Sequence, residues 1–174
     1  SAEVVLPPLA QAMLEQGEAA KLVAEFGDRK LTDIDAEASL RSSVGHAQLQ
    51  LQKFGDAKAS FNAATALKPD YLPARLGVAR LMAAANKIDD ANRLIDAIVA
   101  SHPKAAEAHA LQSDLRLLGG DRAGAKTSLE QAIAADESFL PARFALIQLL
   151  ISEKQFDAAA VQLATARSLR SGDL

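Results

Sequence analysis

The sequence repeats itself. Tyr71-Leu72-Pro73-Ala74-Arg75 reappears as Phe139-Leu140-Pro141-Ala142-Arg143, 68 residues further on, and Pro69 and Pro103 stand at half that spacing. A period of 34 follows, and the small residues Ala57, Ala91, Ala125 and Ala159 keep step with it. Phe61, Ile95, Leu129 and Leu163 come four residues after those alanines, and Ala64, Ile98, Ala132 and Ala166 seven after. That spacing lines up one face of an α-helix.

Composition agrees with helices. The 174 residues are 49% hydrophobic but only 4% aromatic, with no Trp, and the abundant Ala suits close helix packing better than a pleated sheet. The 19 basic and 22 acidic residues leave a formal charge of −3, without the basic block that a nucleic-acid backbone requires, so no nucleic-acid partner is expected. No apolar run approaches the roughly 20 residues needed to span a bilayer. This segment is therefore not expected to insert directly into a membrane. The absence of Cys removes disulfides, thiolate zinc sites and Cys nucleophiles together, and it fits a reducing cytosol as well as a cysteine-poor periplasmic protein.

The residues in register resemble the tetratricopeptide repeat. Counting positions from Ala38, Leu72, Ala106 and Leu140, position 8 is Gly45, Ala79, Ser113 and Ile147, position 17 recurs as Phe54, Ile88 and Phe156, and position 20 is the alanine series. Departures are Arg41, Arg75, His109 and Arg143 where the repeat usually has an aromatic at position 4, Glu137 in place of Pro, and the large Ile147. The resemblance implies an all-α, right-handed αα-superhelix of about five helical hairpins, in which neighbouring units bury each other's apolar faces. The expected units are residues 38–71, 72–105, 106–139 and 140–174, preceded by a degenerate hairpin and loop over 1–37. In that first unit Gly17 marks the turn, Leu22 and Phe26 match positions 20 and 24, and Gly27 to Thr32 form a surface loop before a cap at Thr32 or Asp33. Asp70 and Ser138 are expected as N-caps, with Pro73 and Pro141 in the first turn. Gly55-Asp56, Asn86 with Asp89, and Gly119-Gly120-Asp121 read as turns between paired helices. With no polar capping helix after the last unit, the native polypeptide is expected to continue beyond residue 174.

In such arrays the first helices line a concave groove at positions 2, 5, 9 and 12. Carried onto this chain, the partner-binding candidates are Ser42, His46, Leu49, Leu76, Arg80, Ala83, Asp114, Leu117, Phe144, Gln148 and Ile151. An apolar groove with one polar rung per repeat suits a protein or peptide segment. Leu49, Leu117 and Ile151 read equally well as seam residues between hairpins. Arg75 and Arg143 read as intramolecular, with packed stems and heads in water. The carboxylate clamp of chaperone-binding members is missing, since Ser42, His46, Leu76 and Arg80 stand where Lys and Asn are needed. His46, His102 and His109 lack zinc-ligand spacing, and there is no nucleophile elbow or phosphate loop. No cofactor, metal or catalytic residue is expected. The competing reading is a structural spacer, or a segment that associates with itself through exposed end helices.

The phrase Pro69-Asp70-Tyr71-Leu72-Pro73-Ala74-Arg75 followed by Leu76-Gly77-Val78-Ala79, set among Ala- and Leu-rich units, is also similar to the repeat lipoproteins of the exosortase and PEP-CTERM sorting system in Gram-negative, exopolysaccharide-producing bacteria. That resemblance implies a periplasmic or outer-membrane-anchored scaffold in protein sorting or exopolysaccharide export. The residues themselves leave the cytoplasm open.

Overall fold

The computed structural model describes residues 2–171. These hold ten helices and no strand: α1 (Ala2–Glu15), α2 (Ala19–Phe26), α3 (Ile34–Gln50), α4 (Phe54–Leu67), α5 (Leu72–Ala84), α6 (Ile88–Ser101), α7 (Ala106–Leu118), α8 (Arg122–Ala135), α9 (Leu140–Ser152) and α10 (Phe156–Ser171). This is the all-α helical-repeat superhelix class that the 34-residue period predicts. The chain divides into two compact units between Lys87 and Ile88.

The turn after every first helix is built the same way. Gly17, Gln52, Asn86, Gly120 and Lys154 all have positive φ, between 58° and 81°. The next amide in each case donates back five residues: Glu18 to Met13, Lys53 to Gln48, Lys87 to Met82, Asp121 to Arg116 and Gln155 to Leu150, all at 2.8 to 2.9 Å. These are Schellman ends, which satisfy the last helical carbonyls and reverse the chain. Two expected turn signals move accordingly. Gly55 and Asp56 lie inside the first turn of α4, because Gln52 makes the reversal. The N-caps of α5 and α9 are Tyr71 and Phe139, not Asp70 and Ser138. Asp70 instead faces Arg75 at 3.6 Å, and Ser138 turns its hydroxyl to Asp136. Asp33 caps α3 by accepting from the Ala36 amide, and Asp121 caps α8 by accepting from Gly124.

In the first unit, α1 and α2 pack on α3 through Ala10, Met13, Leu22, Phe26, Leu40, Val44 and Ala47. The loop after α2 is on the surface and pinned. Arg41 donates to the carbonyls of Phe26, Gly27 and Arg29, and Glu37 accepts from the Leu31 amide. Glu3 takes the Thr32 amide and hydroxyl. A second cluster joins α4 to α5 through Ala57, Phe61, Ala64 and Ala74. Phe61 needs both Gly45 and Gly77, since a methyl group at either would fall within 3 Å of its ring.

In the second unit, Leu129 and Ala132 of α8 pack beneath Ala142, Leu146 and Leu149 of α9. A buried polar relay ties three helices. Gln112 on α7 donates to Asp96 on α6 and accepts from Ser128 on α8, which also accepts from Arg116. The alanines at position 20, namely Ala57, Ala91, Ala125 and Ala159, are all buried as the register requires.

Candidate partner-binding surface

The candidate residues lie on the first helices, and the structure sorts them unit by unit. On α3 and α5, Ser42 is 2% exposed and Leu76 only 1%. Neither offers surface to a ligand, which corrects their assignment to the groove. Helices crowd both positions, since α3 packs against α1, α2, α4 and α5, and α5 against α3 and α4. Leu49 packs against the Phe61 cluster, so at this site the seam alternative prevails. Ala83 is half-buried.

His46 also belongs to the seam. Its Nε2 lies 3.0 Å from the Pro73 carbonyl, and because a carbonyl only accepts, this nitrogen carries the proton and donates. The ring meets Phe61 edge-on at 4.9 Å. Burial, and after it the charge of Arg80, pushes the imidazole down to about 4, against the opposing hydrogen bond from Pro73. His46 is therefore neutral at pH 7. Arg80 is half-buried and engaged in interactions of its own.

The second unit is more open. Phe144, Gln148 and Ile151 are exposed along one face of α9, spaced by four and three residues. On the contacting helix α7, Asp114 and Leu117 are exposed at matching positions. Asp114 has interactions within the chain. The face is thus an apolar strip of Leu117, Phe144 and Ile151 interrupted by an acid and an amide, which supplies contact area together with hydrogen-bonding groups.

A sequence model of the tetratricopeptide repeat matches residues 48–115, two repeat lengths spanning parts of both units. Over that stretch the chain matches the tetratricopeptide repeat. No curated protein matches it. Among solved structures it is similar to a thermophilic tetratricopeptide-repeat protein of Thermus thermophilus, at 22% identity over 93% of this chain and 87% of that one, with a TM-score of 0.68. It is also similar to a chain of the APC/C hetero-tetramer Cut9-Hcn1, at 21% identity over 97% of this chain and 32% of that one, TM-score 0.73. A third likeness is to MamA from Desulfovibrio magneticus, at 16% identity over 99% and 97% of the two chains, TM-score 0.62. At these identities the likenesses speak for the fold.

The departures at position 4 form one class of residue, of which the sequence assigns a role only to Arg75 and Arg143. Position 4, usually aromatic in tetratricopeptide repeats, is a hydrogen-bond donor in all four units. His109 donates to the Pro103 carbonyl at 2.9 Å, and Arg143 to the Glu137 carbonyl at 3.0 Å and to Gln162 at 2.8 Å. Each reaches back six residues to the chain leaving the preceding hairpin. The intramolecular role expected for Arg143 holds, but its head is not in water: the side chain is buried and its guanidinium is held by Glu137 and Gln162. The signal was the recurrence of Arg, Arg, His, Arg at a single repeat position.

Proposed function

We propose that this chain is a protein-interaction scaffold that receives an extended or helical segment of a partner on the first-helix face of α7 and α9. The observation that carries the reading is the exposed line of Phe144, Gln148 and Ile151 beside Leu117. Large apolar side chains left open at helical spacing on the face that tetratricopeptide repeats use for ligands favour binding over idle solvation. The fold class supports a non-catalytic role, since such repeats generally hold proteins or peptides.

The test is a quantitative pull-down from an extract of the source organism, comparing the native chain with a Phe144→Ser/Ile151→Ser variant of unchanged circular dichroism. Specific partners should be recovered at least about tenfold less by the variant, a change worth roughly 1.4 kcal/mol. Equal recovery removes the α7 and α9 face from the proposal.

The finer role, in bacterial protein sorting or exopolysaccharide export at the periplasm or outer membrane, rests on the wording of residues 69–79 alone. Fractionating the source organism with an antibody to this segment tests it, and a cytoplasmic signal would contradict it. Among the described residues no helix is long and apolar enough to cross a membrane.

A further inference from the structure

We propose that the cleft between α2 and α4 receives the free amino end of a peptide, with Asp28 and Asp56 holding its ammonium group and Gln48 its first carbonyl. The cleft has a volume of about 440 Å³, and its walls come from α2, the loop after it, α3 and α4. It lies wholly inside the first unit.

The Gln48 amide is the observation that points to a ligand. Gln48 is 8% exposed and lines the cleft, and its Oε1 accepts from the Ser60 hydroxyl at 2.7 Å. Its amide nitrogen has no partner among the described residues. The second unit holds the same device in closed form. Ser128, at position 23 of its repeat like Ser60, also donates to a glutamine, and that glutamine, Gln112, passes an amide proton to Asp96 at 2.7 Å. Behind Gln48 no such carboxylate stands. A donor on a nearly buried side chain is costly without an acceptor, and an oxygen from outside the chain supplies one.

Charge decides what else the occupant carries. Asp28 and Asp56 line the cleft with exposed side chains, and neither has an ion pair or hydrogen bond among the described residues. The one cation in the wall, Arg41, is fully engaged: it donates to the carbonyls of Phe26, Gly27 and Arg29, and its Nε lies 3.1 Å from Glu37. An anion would meet two carboxylates and no free cation, so the cleft selects a positive group. A bare cation leaves Gln48 without an acceptor. An amino terminus carries an ammonium and a carbonyl on the same residue, and a small first side chain can rest on Val23, Ala59 and Ala63. A lysine side chain brings no carbonyl near its ammonium.

The cleft shares no residue with the α7 and α9 face, so either proposal can fail alone. The test is an amide NMR titration of the native chain with trialanine amide, with its N-acetylated form, and with butylamine, which has the ammonium but no carbonyl. Trialanine amide at millimolar concentration should shift the Gln48 side-chain amide and the backbone amides of Asp28, Ala59 and Ser60. Acetylated peptide and butylamine should each bind at least about tenfold more weakly, and so should trialanine amide to Asp28→Asn/Asp56→Asn. Both aspartates are exposed, so that variant should fold, and circular dichroism verifies it. Four results overturn the proposal: no shift at these positions, equal binding of the acetylated peptide, equal binding of butylamine, or unchanged affinity in the folded variant.

Discussion

His46 on α3 donates its Nε2 proton to the carbonyl of Pro73 at the start of α5, 3.0 Å away. A polar residue that reads as a groove rung is in fact a tie between consecutive repeats, and its burial is tolerated only while the ring is neutral.

That dependence gives a pH signature. The folded-state value is depressed to about 4 from 6.5, by burial first and the Arg80 charge second. Above pH 6.5 the ring is neutral in both folded and unfolded chains and contributes no slope. As pH falls from 6.5 towards 4 the unfolded chain takes up the proton first, so stability is lost across that window, by on the order of 1–3 kcal/mol. Urea unfolding at pH 7.5 and pH 5 should show this loss in the native chain and a smaller one in His46→Gln. Parallel losses in the two proteins would contradict the assignment.

Phe61 tests the closeness of α3 and α5. A Cβ added at Gly77 would lie 2.3 Å from two atoms of its ring. Gly77→Ala should cost roughly 1–3 kcal/mol through overpacking, and combining it with Phe61→Leu should cost less than the two changes summed. Additive losses would mean that the two residues do not meet.

The Schellman ends make a prediction of opposite sign. Gln52 and Lys154 hold φ of 58° and 59° at the same repeat position where Gly120 holds 81°. A side chain in that region costs roughly 1–2 kcal/mol. Gln52→Gly and Lys154→Gly should therefore each raise the melting temperature, and Gly120→Ala should lower it. Thermal unfolding followed by circular dichroism reads all three.

Two buried serines separate packing from hydrogen bonding. The Ser113 hydroxyl is buried without a hydrogen-bond partner, while Ser128 joins Gln112 to Arg116. Ser113→Ala should be neutral or stabilising by about 1 kcal/mol, and Ser128→Ala should cost roughly 1–3 kcal/mol because buried groups lose their partner. Equal effects in urea unfolding would contradict the relay.

The fold was legible because period and stripe report the same thing: the positions of Ala57, Phe61 and Ala64 recur every 34 residues and are buried in each unit, except at Leu163. The site was less so. Position 5 is a surface rule for a generic repeat, but neighbouring helices bury Ser42 and Leu76 here, while Gly45 and Gly77 admit the Phe61 ring from a third helix. Helix ends shifted for a local reason. Side-chain caps were read from Asp70 and Ser138, whereas both helices start one residue later without one. The donors at position 4 were visible, yet their target is a carbonyl, and a carbonyl leaves no residue-type signal.

The partner face on α7 and α9 is tested most directly by placing a photocrosslinking amino acid at Gln148, and as a control at Thr127 on α8. Both positions are exposed, so neither change disturbs the core. Irradiation in an extract should yield a discrete crosslinked partner from position 148 and none from position 127. The same partner from both positions, or a partner from position 127 alone, would place binding elsewhere and contradict the account.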